Sequence, residues 1–336
     1  MNRIYHLPLF LLTMAFLTTT GQAQIHTVSI VPGLADYTTL DEAIDAAQGG
    51  DTIFLYPGNY GTITINKTLC IIGVGYRKEE NGLQGSLTTS LDAEIIEVLI
   101  ENTSDVKINS CLLGDLRLEN SPGGVINRCY VEGYINIISS NDVVFSGCFL
   151  HEAPLQHEAF RLNNSQNFYM TNSIIDRYVS TYVRFWIDDN SNAFFNHVIF
   201  DGREYGIQNS LVKNCIFLNT GGNSTIDNGF GNNNFVNNVT QQTLNPNTDI
   251  VMTFSNIPIV GNSDPNSTYD GRYQLLPNSI ASGAADDGTD CGAFGGNLPY
   301  QLSGLPTRPL IHELNLPSNA TTGSPLPIYV KVRTQN

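Results

Sequence analysis

The stretch "INSCLL", residues 108–113, returns as "INRCYV" at 126–131 and as "FSGCFL" at 145–150. With small changes it comes back as "MTNSII" at 170–175, "FNHVIF" at 195–200 and "VKNCIF" at 212–217, and "FVNNVT" at 235–240 is a weaker echo. The unit is one apolar residue, any residue, Asn or similar, Cys or similar, then two apolar residues. Its fourth position gives Cys111, Cys129, Cys148, Ser173, Val198 and Cys215, in steps of 18, 19, 25, 25 and 17 residues. A fixed motif at such a period is the mark of a solenoid. With no helical pattern between the strands, it predicts a parallel β-helix in which each strand lies about 4.8 Å from its counterpart in the next coil. The fourth position then points inward in every coil, and Asn at the corners accommodates left-handed backbone.

The upstream segment fits this reading. "DYTTLDEAIDAAQGG", 36–50, puts Leu40, Ala43, Ile44 and Ala47 on one helical face. Thr38 or Thr39 can cap it, and Gly49 and Gly50 stop it. The open end of a solenoid exposes unpaired backbone, so a helix over 38–48 is expected to cap that end. "DTIFLYPG" and "GTITINKTLCIIG" follow as strands closed by Gly and Pro. Beyond residue 296, "LIHELNLP" and "PLPIYVKVRT" alternate as two strands of a hairpin within a tail of 297–336.

Residues 1–23 read as a secretory signal peptide: a basic start at Arg3, an apolar run and a small-residue end, with cleavage near Ala23. That apolar run is too short to span a bilayer and no later run is long enough either, so a secreted, periplasmic or cell-surface location is expected. The net charge is −15 with only 14% charged residues. Nucleic acid needs clustered Lys and Arg and is excluded as a partner; a monomer is expected.

"ADYTTLDEAIDAAQGGDTIFLYPGNYGTITINKTLCIIGVGY", 35–76, resembles the opening of the right-handed parallel β-helix, or pectin-lyase-like, superfamily. "YDGRYQLLPNSIASGAADDGTDCGAFGG", 269–296, is similar to the closing coil of such proteins, which places the solenoid at 24–296. "PYQLSGLPTRPLIHELNLP" resembles tails on exported β-helix proteins of Bacteroidetes-type bacteria. The resemblance implies an all-β fold; its members include lyases, hydrolases, epimerases and adhesins, so it does not fix an activity.

Four features bear on chemistry. Four of the six cysteines occupy the inward position, where parallel side chains suit buried thiols better than disulfides. Three residues after each inward position come Glu132, His151, Asp176 and Asp201, a row of ionisable groups at one corner. Stacked carboxylates raise one another's pKa unless cations or hydrogen bonds intervene. The row could bind ligand, or hold calcium through Asp176 and Asp201, though Asp and Glu are equally at home as solvated turn residues. The two long coils add His157, Glu158, Arg161, Tyr182, Trp186 and Asp188, with Arg161 and Trp186 at one stacked position. Aromatic rings beside polar groups suit a sugar. "DDGTD", 286–290, has part of a calcium loop without its later ligands, and is expected to be structural.

The leading expectation is an exported module that contacts extracellular polysaccharide without catalysis. One alternative is a polysaccharide lyase or glycoside hydrolase working on the face of 148–204. The resemblance would cast Arg161, Arg177 or Arg184 as the base there, with Asp188 as a further candidate and calcium as an acidifying cofactor; no spacing singles one out. A structural or adhesive solenoid is the other alternative.

Overall fold

The computed structural model describes residues 22–81, 92–151, 160–176, 185–201, 206–218, 232–240, 247–252, 258–261, 267–306, 310–315 and 329–333. Apart from the hairpin at the end, every strand pairing in it is parallel. The chain winds through three walls. The first wall is a ten-stranded sheet from Ile25–Val28 to Asn234–Val236. The second and third walls begin as one sheet, because Ala93–Glu101 and Leu112–Glu119 are long enough to serve both. They then part into short strands: Tyr130–Val131 pairs with one end of Leu112–Glu119, and Ile135–Ile138 with the other. Parallel crossovers of this kind wind right-handed.

The motif registers as its period demands. Ile108 pairs with Ile126, Ile126 with Phe145, and Phe145 with Met170 on the first wall. Cys111, Cys129, Cys148, Ser173, Val198 and Cys215 are all fully buried along the inside. None of the six cysteines is in a disulfide. Burial pushes the Cys111 and Cys148 thiols up to about 12, so they pack as small apolar groups rather than as nucleophiles.

The corner from first to second wall is made by the residue just before this column. Ser110, Arg128, Gly147, Asn172, His197, Asn214 and Asn237 all have positive φ. One left-handed residue turns the chain once per coil, which explains why Asn, Gly and small polar residues recur there. The corner from third to first wall carries a ladder of buried serines. Ser140 Oγ accepts from Ser121 N at 2.9 Å, Ser165 Oγ from Ser140 N at 3.0 Å, and Ser191 Oγ from Ser165 N at 3.0 Å.

The helix Leu40–Ala46 closes the first coil. The Thr39 hydroxyl caps it by accepting from Glu42 N, and Leu40, Ala43, Ile44 and Ala47 join the interior. Lys67 Nζ donates to the carbonyls of Ile44 and Ala47, satisfying the helix C-terminus.

A second core lies outside the second wall. Along that wall Val131, Leu150, Ile175, Phe200 and Phe217 face the interior, while Tyr130, Phe149, Ile174, Ile199 and Ile216 face outward and are also fully or almost fully buried. They are covered by 267–306, which runs over the wall as a strap. Gly292 N donates to Asn214 O, Asn172 Nδ2 to Ala293 O and Gly295 O, Tyr76 N to Ser303 O, and Arg128 Nη1 to Leu305 O. Residues 269–296, expected as a closing coil, therefore lie along the flank of the solenoid. The packing has no break at 296/297, since Tyr300, Ser303 and Leu305 continue the same layer. Leu310–Asn315 and Tyr329–Arg333 form the antiparallel tail hairpin.

Candidate functional site

The ionisable row forms at the edge of the second wall. The strands pair Val131 with Leu150, so Glu132 neighbours His151; His151 pairs with Asp176, and Ile175 with Phe200, which sets Asp201 beside Asp176. The row is not an open cluster of carboxylates. His151 Nδ1 lies 2.8 Å from Asp176 Oδ2, and Arg272 Nη2 from the strap donates to the same oxygen at 2.7 Å. The Tyr273 hydroxyl donates to Asp176 Oδ1 and also lies 2.9 Å from Asp201 Oδ2. Arg77 Nη2 reaches Glu132 Oε1 at 2.8 Å.

Burial alone would raise the Asp176 carboxyl, but His151, Arg272 and Tyr273 outweigh it and hold the group below the usual carboxylate range. The arginines are sandwiched as well. The Arg77 guanidinium lies 4.8 Å from the Tyr130 ring and 4.5 Å from the Tyr269 ring, and that of Arg272 lies 4.6 Å from Tyr269 and 5.0 Å from Tyr273. The result is an alternating stack of rings and cations that fastens strap to wall.

This arrangement does not fit calcium at Asp176 and Asp201. A hard cation needs six or more free oxygen ligands, and here both Asp176 oxygens already serve a guanidinium, an imidazole and a phenol. Among the described residues no group of three or more His, Cys, Asp or Glu could hold a metal ion. The "DDGTD" segment, part of the strap, is likewise tied down onto the solenoid, with Asp286 on Lys213 and Asn214 and Asp287 on His197.

The third wall is a different surface. Its outward column runs Leu99, Arg117, Asn136, Arg161 and Trp186, each beside the next in register. Arg117 and Arg161 are exposed, and Trp186 is 41% exposed. Arg117 pairs with Glu119 on its own strand, while Arg161 has no ion pair among the described residues. Asp188 ends the last of these strands, but its carboxylate accepts from Asn164 N at 3.0 Å and from the Ser191 hydroxyl, which makes it a turn-former rather than a free base.

Arg161 and Trp186 thus share a face, whereas Glu132, His151, Asp176 and Asp201 lie on another wall, largely beneath the strap. The expected single face spanning 148–204 divides in two. His157, Glu158, Arg177, Tyr182 and Arg184 lie outside the described residues. Arg117 was not anticipated, although 117, 136, 161 and 186 follow steps of 19, 25 and 25 residues, the same as those from Cys129 to Val198. The strap residues Tyr269, Arg272 and Tyr273 carry no such periodic signal.

No family model matches this chain, and no curated protein does. Among solved structures, the crystal structure of pectate lyase Pel9A matches with a TM-score of 0.40 and 13% identity, covering 82% of this chain and 96% of that one. The chain path itself, three parallel walls advancing one rung per coil, makes this protein a parallel β-helix, right-handed as crossovers between parallel strands are.

Proposed function

We propose that this chain is an exported protein that contacts an extracellular polysaccharide along its third wall, without catalysis. The observation that carries the reading is the outward column of Arg117, Asn136, Arg161 and Trp186, in register across four coils, with Arg117, Arg161 and Trp186 exposed. An indole face takes the apolar face of a pyranose ring, and guanidinium and amide groups take its hydroxyl or acid groups. The column runs along the solenoid axis, which suits a chain-like ligand. Catalysis finds no support in the described residues: Asp188 is engaged in a turn, and the acidic row is ion-paired by Arg77 and Arg272 and hydrogen-bonded by Tyr273.

A glycan array, run beside an assay for unsaturated products with and without calcium, tests this reading. Array binding should be retained without calcium and lost in Trp186→Ala and Arg161→Ala. Turnover in the product assay would move the protein to the lyases. Binding that survives both substitutions would remove the third wall as the site.

A further inference from the structure

The outward face of the first wall carries a second strip, unrelated to the surface above. Val125, Val144, Tyr169, Phe194 and Leu211 stand side by side in five successive coils. Two positions along each strand, Asn127, Ser146, Thr171 and Asn196 make a polar column parallel to the first. Tyr169 is 40% exposed and the other four apolar residues are half-buried, shielded by one another along the ladder. The Tyr169 and Phe194 rings touch, with centroids 5.8 Å apart.

The polar column is partly self-bonded. Asn127 Nδ2 donates to Asn109 Oδ1 at 3.1 Å, and Thr171 Oγ1 to Ser146 Oγ at 3.3 Å. An amide has two N–H groups and two lone pairs on its oxygen, so these bonds leave capacity toward solvent. The strip holds no carboxylate, in a protein of net charge −15. Charge stands at both ends: exposed Lys107 lies beside Val125 in register, and Lys213, paired with Asp286 at 3.1 Å, has its Nζ 6.0 Å from the Phe194 ring centre.

We propose that this strip is a docking surface for a neutral polysaccharide lying along the solenoid axis. An apolar and aromatic column flanked by amides and hydroxyls matches the C–H faces and hydroxyl edges of a pyranose chain. Neither column carries a charged residue from Val125 to Phe194, which fits a neutral chain along these coils better than an acidic one. A second copy of this protein is a poorer occupant. Five rungs at about 4.8 Å and two columns cover only a few hundred Å², well below the roughly 800 Å² per partner of a stable interface. With the third wall also engaged, the molecule would hold glycan on two faces.

The full chain is to be depleted from solution by microcrystalline cellulose, chitin or an insoluble β-glucan, at low salt and at about 0.5 M NaCl, where surface charge interactions are screened. Depletion by at least one of them, unchanged by salt, is expected. Tyr169→Ala/Phe194→Ala and, separately, Thr171→Arg should each weaken it at least tenfold, with a cooperative circular-dichroism melt retained because none of these side chains reaches the interior. Trp186→Ala should leave it intact, which separates this surface from the third wall. The inference is overturned if none of the three polymers depletes the protein, or if the first-wall variants bind as the parent does. It is equally overturned if Trp186→Ala alone abolishes binding, or if light scattering shows a dimer that the first-wall variants dissociate.

Discussion

Asp176 and Asp270 both bond to Tyr273 of the strap, one through the phenol and the other through its backbone carbonyl, yet their environments act in opposite directions. Asp176 is held low by His151, Arg272 and Tyr273 despite its burial. The stability it contributes is therefore complete above the unfolded-state value of about 3.9 and is lost as pH falls through the lower folded value. Asp176→Asn strands the Arg272 cation in a site where its side chain is only 16% exposed. The loss of one partner of a buried pair typically costs about 3 kcal/mol. Urea unfolding should show that deficit at pH 7 and a smaller one below pH 4; an equal deficit at both would mean that the charge is irrelevant. Asp270 is raised instead, chiefly by burial, although it accepts from Tyr300 OH and Ser303 N at 2.8 Å each. Its other oxygen has no hydrogen-bond partner among the described residues. A raised carboxyl penalises the fold as pH climbs from about 4 through its folded pKa. Asp270→Asn keeps an acceptor for Tyr300 and Ser303 and removes the ionisation. Its stability relative to the parent should therefore improve from pH 4 to pH 7 in the same urea series, and a flat difference would contradict the raised carboxyl.

At the level of elements, the corner from first to second wall does two jobs, and Asn172 shows both. Its φ is +47°, and its side-chain amide donates to Ala293 O at 3.1 Å and Gly295 O at 2.8 Å. Asn172→Ala meets roughly 1–2 kcal/mol of left-handed strain and leaves two strap carbonyls unpaired at about 1 kcal/mol or more each, for a total near 3 kcal/mol. Asn172→Gly relieves only the backbone part and should recover about 1 kcal/mol; full recovery by Gly in thermal or urea melts would show that the strap bonds contribute nothing. The walls themselves were legible because a solenoid repeats its inward residue, so Cys111 to Cys215 could be aligned by eye. The same motif also held the signal for the strap. In "CLL", "CYV", "CFL", "VIF" and "CIF" three consecutive positions are apolar, and "SII" keeps the last two; a strand apolar on both sides is buried on both faces. The motif's second apolar residue therefore announces a covering layer. The layer's own residues stayed hidden because 267–306 is rich in glycine and turns, with Tyr273, Ala281, Ala293 and Tyr300 set at no period. For the candidate site, the pairing of Arg161 with Trp186 could be read from coil lengths alone. That the acidic row faces a strap and not solvent could not, since Arg77 and Arg272 reach it from 55 and 96 residues away in sequence.

For the whole molecule, the solenoid is not a self-sufficient stack. Tyr130, Phe149, Ile174, Ile199 and Ile216 are each at 0% exposure only because the strap lies over them. Burying a large apolar side chain contributes about 1.5–3 kcal/mol, so uncovering five of them forfeits roughly 10 kcal/mol, the size of a typical domain's entire net stability. It would also leave an apolar stripe down one flank, a surface prone to association. The hairpin beyond residue 306 pairs its two strands with each other and, among the described residues, with none of the three walls. Two truncations separate these contributions. A chain ending at residue 306 keeps the strap with Tyr76–Tyr300, Arg77–Tyr269 and Arg272–Asp176 intact, and should remain soluble with a cooperative melt close to that of the full chain. A chain ending at residue 261 loses every one of those contacts and should be recovered as aggregate, or as a species without a cooperative transition. The comparison turns on the second chain: if it elutes as a folded monomer and melts within a few degrees of the first, the strap is an ornament on a self-supporting solenoid. Its failure beside a sound 306-residue chain would mean that the outer core, as much as the inner column of cysteines, is what closes the fold.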